Sequence, residues 1–297
     1  MKPLGSRRVF LAIAFLLVTV IFGCAGLKYY QVAKRLKNME KKVYLPPKET
    51  KIEPLKPMNI LLLGIDSGEL MGSYRPGRGR SDTIMLFALR PDKKVIYQVS
   101  IPRDSRVEVP GHGLTKINHA YAYGGADLMQ ETVEKLLAIK IDRVVVIDYN
   151  GFVKLVDLLG GIEIDVEKDI NNRFNIGKPI PTGHVRLTGE EAFRYVHARD
   201  SDIERVKRQQ KFLKAVFQEV IEQKAYYKLF KFISENPEAV TTNFTISELA
   251  ELVKHEDEFK NYKLEEIFAE GRGQYIDGIS YWILNEKAIQ NIREKLK

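Results

Sequence analysis

Apolar and polar positions divide this 297-residue chain into a leading hydrophobic segment, a polar connector broken by prolines, and a long alternation of short apolar runs with amphipathic stretches. Val9 to Leu27 is a run of 19 residues without a charge, enough for one helix to cross a bilayer. Lys2, Arg7 and Arg8 precede it in the order of a signal anchor, which makes residues 1–8 a short cytoplasmic tail and 9–27 the transmembrane helix. Two features oppose this preferred reading. Lys28, Lys34, Arg35, Lys37, Lys41 and Lys42 follow the span and outnumber the leading positives, against a plain positive-inside count, and Ile21 to Cys24 resembles a lipoprotein cleavage box. Residues 28–57 are stalk and linker: scattered apolar positions from Lys28 to about Lys42 predict a helical stalk, and Pro46, Pro47, Pro54 and Pro57 predict a tether.

The body begins near Met58. Asn59 to Gly64, Thr83 to Leu89 and Val95 to Ile101 are compact apolar runs that read as buried strands, the last two joined by a turn at Pro91 and Asp92. Gly124 and Gly125 introduce a predicted helix over Ala126 to Ala138, and Arg143 to Ile147 reads as a further strand. Phe152 to Leu159 is predicted helical and stopped by Gly160 and Gly161, before an alternating strand from Ile162 to Val166. Thr188 with Glu191, and Ser201 with Glu204, are capping-box patterns that start helices. Such alternation predicts an α/β fold, a mixed central sheet in an α-β-α layered domain, following the N-terminal transmembrane helix. Residues 224–297 add helical segments and short strands without a usable motif.

Composition narrows the partners. The net charge of +8 suits anions, and 44% hydrophobic residues are ample for a core. Cys24 is the single cysteine, so an intrachain disulfide is excluded, and the chain carries no zinc-ligand spacing and no recognisable nucleic-acid motif. Candidate chemistry lies where Asp and Arg recur together at element ends: Asp66 after the first strand, Arg80 and Asp82 before the second, Arg103 and Asp104 after the third, and Arg199 to Gln210 at a helix start. Arginine forks grip phosphate oxygens and carboxylates hold hard cations, whereas any one of these residues alone reads as a surface cap or turn residue. At 3.6 residues per turn, Asp202, Arg205 and Gln209 share a helix face beside an apolar stripe of Ile203, Val206, Leu213, Phe217 and Val220.

The ordered set GIDSG, GRGRSDTIML, SIPRDS, KINHAYAYGG, GGIEIDV and YVHARDSDIERVKRQQ resembles the LytR-CpsA-Psr family over residues 58 to 215. The resemblance implies a membrane-anchored, extracytoplasmic phosphotransferase spanning 58–297. Such an enzyme moves a teichoic acid or capsular glycopolymer from a polyprenyl-pyrophosphate carrier to peptidoglycan, with no nucleic-acid partner. It implies Mg²⁺ or Mn²⁺ at Asp66 and Asp82, and Arg80, Arg103, Arg199, Arg205 and Gln209 around the pyrophosphate. It also implies Asp202 as a further active-site acid, with either Asp202 or Asp104 the candidate base. A polyprenyl tunnel is also implied. Phe87, Leu136, Leu137, Phe152 and Val156 either line it or fill the core, the commoner fate of such positions.

Two positions depart from the family pattern. His197 stands where an Arg is usual, so one imidazole donor replaces a guanidinium fork, and Glu204 stands where a small residue is usual. Alternative readings are a polyprenyl-pyrophosphate hydrolase, a non-catalytic binder of lipid phosphate or wall polymer, and a membrane-bound transcription regulator. The last is disfavoured by the few residues before the span.

Overall fold

The structure is a computed structural model that describes residues 53, 55–66, 79–173, 176–198 and 201–297, apart from single and paired positions between 224 and 260. The expected anchor at 9–27, Arg199, and the side chains of Asp66 and Asp202 lie outside the described residues. Among the described residues no helix is long and apolar enough to cross a membrane. The chain forms two compact units, one containing Tyr149–Val240 and Phe244–Leu264, the other Lys48–Asp148, Thr241–Asn243 and Glu265–Lys297.

The second unit is built on a mixed sheet. In chain order its elements are β1 (Met58–Asp66), β2 (Arg80–Arg90), β3 (Val95–Ser100), the hairpin β4 (Arg106–Val109) and β5 (Gly113–Lys116), helix α1 (Asn118–Leu137) and β6 (Arg143–Ile147). Strand β1 pairs antiparallel with β2 and parallel with β6, and β2 pairs antiparallel with β3. Ile84 to Arg90 and all of β3 are buried without alternation, as strands covered on both faces are. The Phe87 and Leu137 side chains belong to this core, whereas Leu136 is half-buried and lines an open depression with Leu114 and Ile283.

Helix α1 begins eight residues earlier than the glycine pair suggests. The stretch from Asn118 is already helical, and the chain kinks at Gly125, whose φ of 68° and ψ of −152° suit only glycine. A pattern reading places the start after the glycines because it registers the break and not the short helical piece ahead of it.

The first unit contains α2 (Tyr149–Leu158), the hairpin β7 (Ile162–Val166) and β8 (Gly183–Leu187), α3 (Gly189–His197) and α4 (Asp202–Glu222). Gly160 and Gly161 end α2 with φ values of 78° and 86°. Thr188 and Glu191 close the expected capping box at the start of α3. A Cβ on Gly189 would lie 2.4 Å from the Val153 carbonyl oxygen, so a glycine there lets α3 approach α2. At α4, Ser201 Oγ accepts from Glu204 N at 3.2 Å, while the Glu204 carboxylate accepts from Lys207.

The C-terminal segment, which carries no legible motif, supplies β9 (Val240–Thr242) and β10 (Lys263–Phe268), the hairpin β11 (Gly271–Ile276) and β12 (Ile279–Leu284), and α5 (Glu286–Leu296). The full sheet order is β10-β3-β2-β1-β6-β9. Buried Arg90 donates to the Leu296 carbonyl from Nε at 3.1 Å and to Asn59 Oδ1 at 3.0 Å, fastening the end of α5 to the sheet.

Candidate functional site

In the sheet unit, charged residues converge where β1, β2 and the segment after β3 end. The register between β1 and β2 shifts here: Gly64 faces Thr83 and Ile65 faces Ser81, so Asp82 is an extra residue with no opposite number. Such a bulge bends its strand and re-aims a side chain, a device common beside active sites. Asp82 is thereby offered to Arg103, whose Nη1 lies 2.6 Å from Asp82 Oδ1.

The backbone fixes the turn that carries Arg103. Ser105 N donates to Pro102 O at 3.0 Å, Asn118 N to Arg103 O at 3.2 Å, Ile117 N to Ser105 O at 2.8 Å and Trp282 N to Asp104 O at 2.9 Å. Lys116 Nζ lies 2.8 Å from Asp104 Oδ1, and Arg103 Nε is 3.6 Å from Asp104 Oδ2. The four side chains are 13–22% exposed, shielded enough to strengthen the pairs yet open enough to meet a ligand.

Arg80, exposed at the start of β2, and Lys116 extend this positive field. Burial, then Arg80 and Lys116, hold the His119 imidazole below its ordinary value against the opposing pull of Asp104. His119 Nδ1 lies 2.8 Å from Thr115 Oγ1. The buried Ser81 and Ser105 hydroxyls and Asn118 Oδ1 have no hydrogen-bond partner among the described residues. The two serine hydroxyls can donate to an anionic ligand, and the Asn118 oxygen can accept from the water that precedes it.

The first unit has a separate polar face on α4. Arg205, Arg208 and Gln209 are 4–6% exposed. Arg208 Nη2 donates to the Ala198 carbonyl at the end of α3, whereas Gln209 Nε2 has no partner among the described residues. The shared helix face of Arg205 and Gln209 is therefore turned inward. The expected apolar stripe departs from the pattern at Ile203, which is 40% exposed in the first turn of α4, while Val206 and Val220 are buried.

His197 ends α3 with its ring stacked on Phe193 at 3.8 Å and its Nδ1 3.1 Å from the Phe193 carbonyl oxygen. A carbonyl only accepts, so Nδ1 carries the proton and Nε2 becomes a donor only in the imidazolium. Phe193 also packs edge-on against Tyr149 and Phe152, and Phe152 lies against Phe212 with the rings tilted by 35°. Phe152 is half-buried and Val156 fully buried. Buried Tyr195 donates to Glu167 Oε1 at 3.2 Å, and Lys211 Nζ lies 3.0 Å from the same oxygen.

Sequence reasoning did not single out Lys116, His119, Arg208 or Tyr281. Lys116 and His119 lay within the KINHAYAYGG motif and Arg208 within the RQQ run, but Tyr281 had no local signal. Regarding a metal, the described residues include no group of three or more His, Cys, Asp or Glu placed to hold an ion. The bulged Asp82 suits a partial set, since only its Oδ1 is engaged by Arg103 among the described residues. Mg²⁺ is commonly held by one or two carboxylates with substrate phosphates and water.

The model of the LytR_cpsA_psr family matches residues 26–297. Polyisoprenyl-teichoic acid–peptidoglycan teichoic acid transferase TagU of Enterococcus faecalis is 30% identical over 309 residues, covering 98% of this chain and 97% of that one. The protein of the same name from Bacillus mycoides is 34% identical over 256 residues, 83% and 80% of the two chains. Among solved structures, TagT bound to LIIa-WTA superposes with a TM-score of 0.68 at 29% identity, covering 84% of this chain and 93% of that chain. TagT with bound octaprenyl pyrophosphate lipid gives 0.65 at 28% identity, covering 84% and 92%. With the family match running from residue 26 to the C-terminus and the mixed sheet shared with these structures, the chain belongs to the LytR-CpsA-Psr family.

Proposed function

We propose that this protein is a phosphotransferase that moves a teichoic acid-type glycopolymer from a polyprenyl-pyrophosphate carrier to peptidoglycan. The observation that carries this reading is the partly buried run Asp82, Arg103, Asp104 and Lys116 at a bulged strand end, in a chain whose relatives are named for that transfer. A capsular polymer is the other cargo compatible with this chemistry.

In the reaction, a peptidoglycan hydroxyl attacks the polymer-bearing phosphorus, a phosphodiester forms, and polyprenyl phosphate departs with the electrons of the broken P–O bond. The leaving group is already good, so alignment and charge neutralisation are the main tasks. Arg103 presents its fork to phosphate oxygens from a turn fixed by four backbone hydrogen bonds, and Arg80 adds positive charge from the start of β2. Within their own unit, Arg205 and Gln209 are assigned to the donor pyrophosphate with Arg199, and the buried Gln209 Nε2, without a partner among the described residues, supports this role. His197 donates to the phosphate only when protonated.

Asp104 is already engaged by Lys116 at 2.8 Å and lies 3.6 Å from Arg103 Nε. Asp202 is therefore assigned to accept the hydroxyl proton. Asp66 and Asp82 are the ligands proposed for Mg²⁺ or Mn²⁺, which when bound would neutralise phosphate charge and help orient the phosphoryl group. The doubly buried sheet supports the expected α-β-α layering. The uncharged 9–27 segment supports a single-pass anchor, and the signal-like order of Lys2, Arg7 and Arg8 before it supports residues 58–297 lying outside the cytoplasmic membrane.

The deciding assay supplies a polyprenyl-pyrophosphate-linked teichoic acid precursor and peptidoglycan to the full-length protein. Polyprenyl phosphate release matched by polymer joined to peptidoglycan is expected. Release without joining would identify a hydrolase, and donor binding without release a binding protein.

A further inference from the structure

We propose that the C-terminal hairpin β11–β12 sets the working position of Arg103, with Tyr281 as a positioning residue acting through Lys116 and Asp104. The inference rests on the assignment of Arg103 to the donor pyrophosphate, and gives a role to a segment in which the sequence shows no motif.

Backbone contacts place the hairpin. Trp282 N donates to Asp104 O at 2.9 Å, and Trp282 forms an isolated parallel bridge with Ser105. Because β12 runs parallel to the chain at Ser105, the residues before Trp282 lie on the side from which Arg103 and Asp104 enter the turn. Tyr281 is the last of them. Its ring centroid lies 5.9 Å from Lys116 Nζ and 5.6 Å from the Arg106 guanidinium carbon, within range for attraction between a cation and the ring face.

Asp104 is the natural competitor for Arg103, since an adjacent carboxylate accepts a guanidinium fork readily. Here that fork is not made. Lys116 holds Asp104 Oδ1 at 2.8 Å, Oδ2 remains 3.6 Å from Arg103 Nε, and Arg103 directs Nη1 to Asp82 at 2.6 Å. A lysine ammonium on a flexible four-carbon stem needs something to localise it. The Tyr281 ring at 5.9 Å and Asp104 Oδ1 at 2.8 Å do so together. Without the ring, Lys116 disengages, Asp104 captures Arg103, and the guanidinium is withdrawn from the anion it serves.

The ring face carries this role and the hydroxyl does not, which separates three variants. With the full-length protein and a polyprenyl-pyrophosphate-linked teichoic acid precursor, Tyr281→Leu lowers kcat about three- to tenfold with little change in KM. Tyr281→Phe retains the wild-type rate, and Lys116→Gln reproduces the loss without altering the hairpin. In single turnovers of an Arg103→Ala background, Tyr281→Leu has no further effect.

Equal losses in the Phe and Leu variants, wild-type turnover in both Tyr281→Leu and Lys116→Gln, or a Tyr281→Leu loss undiminished in the Arg103→Ala background would each overturn the link. If Tyr281→Leu fails to fold, as melting would reveal, Lys116→Gln with and without Arg103→Ala decides by the same criteria. Wild-type activity in Arg103→Ala alone would instead overturn the donor assignment on which the link stands.

Discussion

Arg103 and Asp82 meet at 2.6 Å because a bulge in β2 leaves Asp82 without an opposite residue and a hydrogen-bonded turn carries Arg103 to it. The pair is partly buried, so removing the guanidinium leaves a carboxylate without its cation. Arg103→Ala should lose about ten- to a hundredfold in turnover, from a charge-assisted contact of about 1.5–3 kcal/mol, and should also lower the melting temperature. Arg103→Lys recovers only part of the activity, since an ammonium lacks the planar fork that serves Asp82 and a phosphate oxygen together. Steady-state kinetics and thermal melts on both variants check this, and full recovery by lysine would contradict it.

His119 reports on the same anion by a route independent of activity. Its pKa is lowered by burial, Arg80 and Lys116, so an anion that neutralises those two cations should raise it. An NMR titration of the imidazole in the free protein should give a midpoint below 6.5, moving upward on addition of inorganic pyrophosphate. With the folded value depressed, the unfolded chain binds the extra proton first. Stability is thus lost as pH falls from about 6.5 towards the folded pKa, and His119→Gln flattens that slope. A midpoint indifferent to pyrophosphate would remove the anion from this end of the sheet.

Arg208 and Gln209 are neighbours with different duties. Arg208 ties α4 to the end of α3 through the Ala198 carbonyl, while the buried Gln209 Nε2 has no partner among the described residues. Arg208→Ala should therefore act mainly on melting temperature. Gln209→Leu removes an unsatisfied amide, so it should leave stability unchanged or raised while weakening donor binding about tenfold. Melting and donor affinity measured on both variants separate the roles, and an unaltered affinity in Gln209→Leu would take that residue out of the site.

For His197, the Nδ1 contact with Phe193 O makes Nε2 a donor only when the ring is protonated. Donor affinity should rise as acidification protonates the ring, and His197→Arg should raise affinity and flatten the dependence. The same pH profile in the Arg variant would mean that His197 is merely packed against Phe193.

How much was legible depended on whether the cause was local. The apolar runs at 59–64, 83–89 and 143–147 announce β1, β2 and β6 because strands buried on both faces need unbroken apolar sequence. Thr188 with Glu191 fixes the start of α3 because a capping box is completed within four residues. The bulge at Asp82 was hidden, since it arises from register against β1 and leaves no mark in β2 itself. Tyr281 was hidden for the same kind of reason: its value comes from Lys116, 165 positions earlier, and from the backbone bridge of its neighbour Trp282 to Ser105. Charge at strand ends was visible in the sequence. Which charges pair, and which are left for a ligand, is decided by long-range pairing.

The bulge also makes Asp82 the decisive position for a metal. Asp82→Asn keeps the shape and a hydrogen-bond acceptor for Arg103 while removing the charge that a hard cation requires, so folding should suffer less than turnover. Loss of the ion pair with Arg103 alone predicts a lower rate at every Mg²⁺ concentration. Loss of a metal ligand predicts a curve displaced to higher Mg²⁺, with the rate partly restored at saturation. Polyprenyl phosphate release across a Mg²⁺ titration distinguishes the two, and melting temperature controls for folding. Asp66→Asn should displace the curve in the same direction if both carboxylates hold one ion. Full wild-type activity in chelator, or an Asp82→Asn curve that differs only in height, would leave Asp82 as the partner of Arg103 and nothing more.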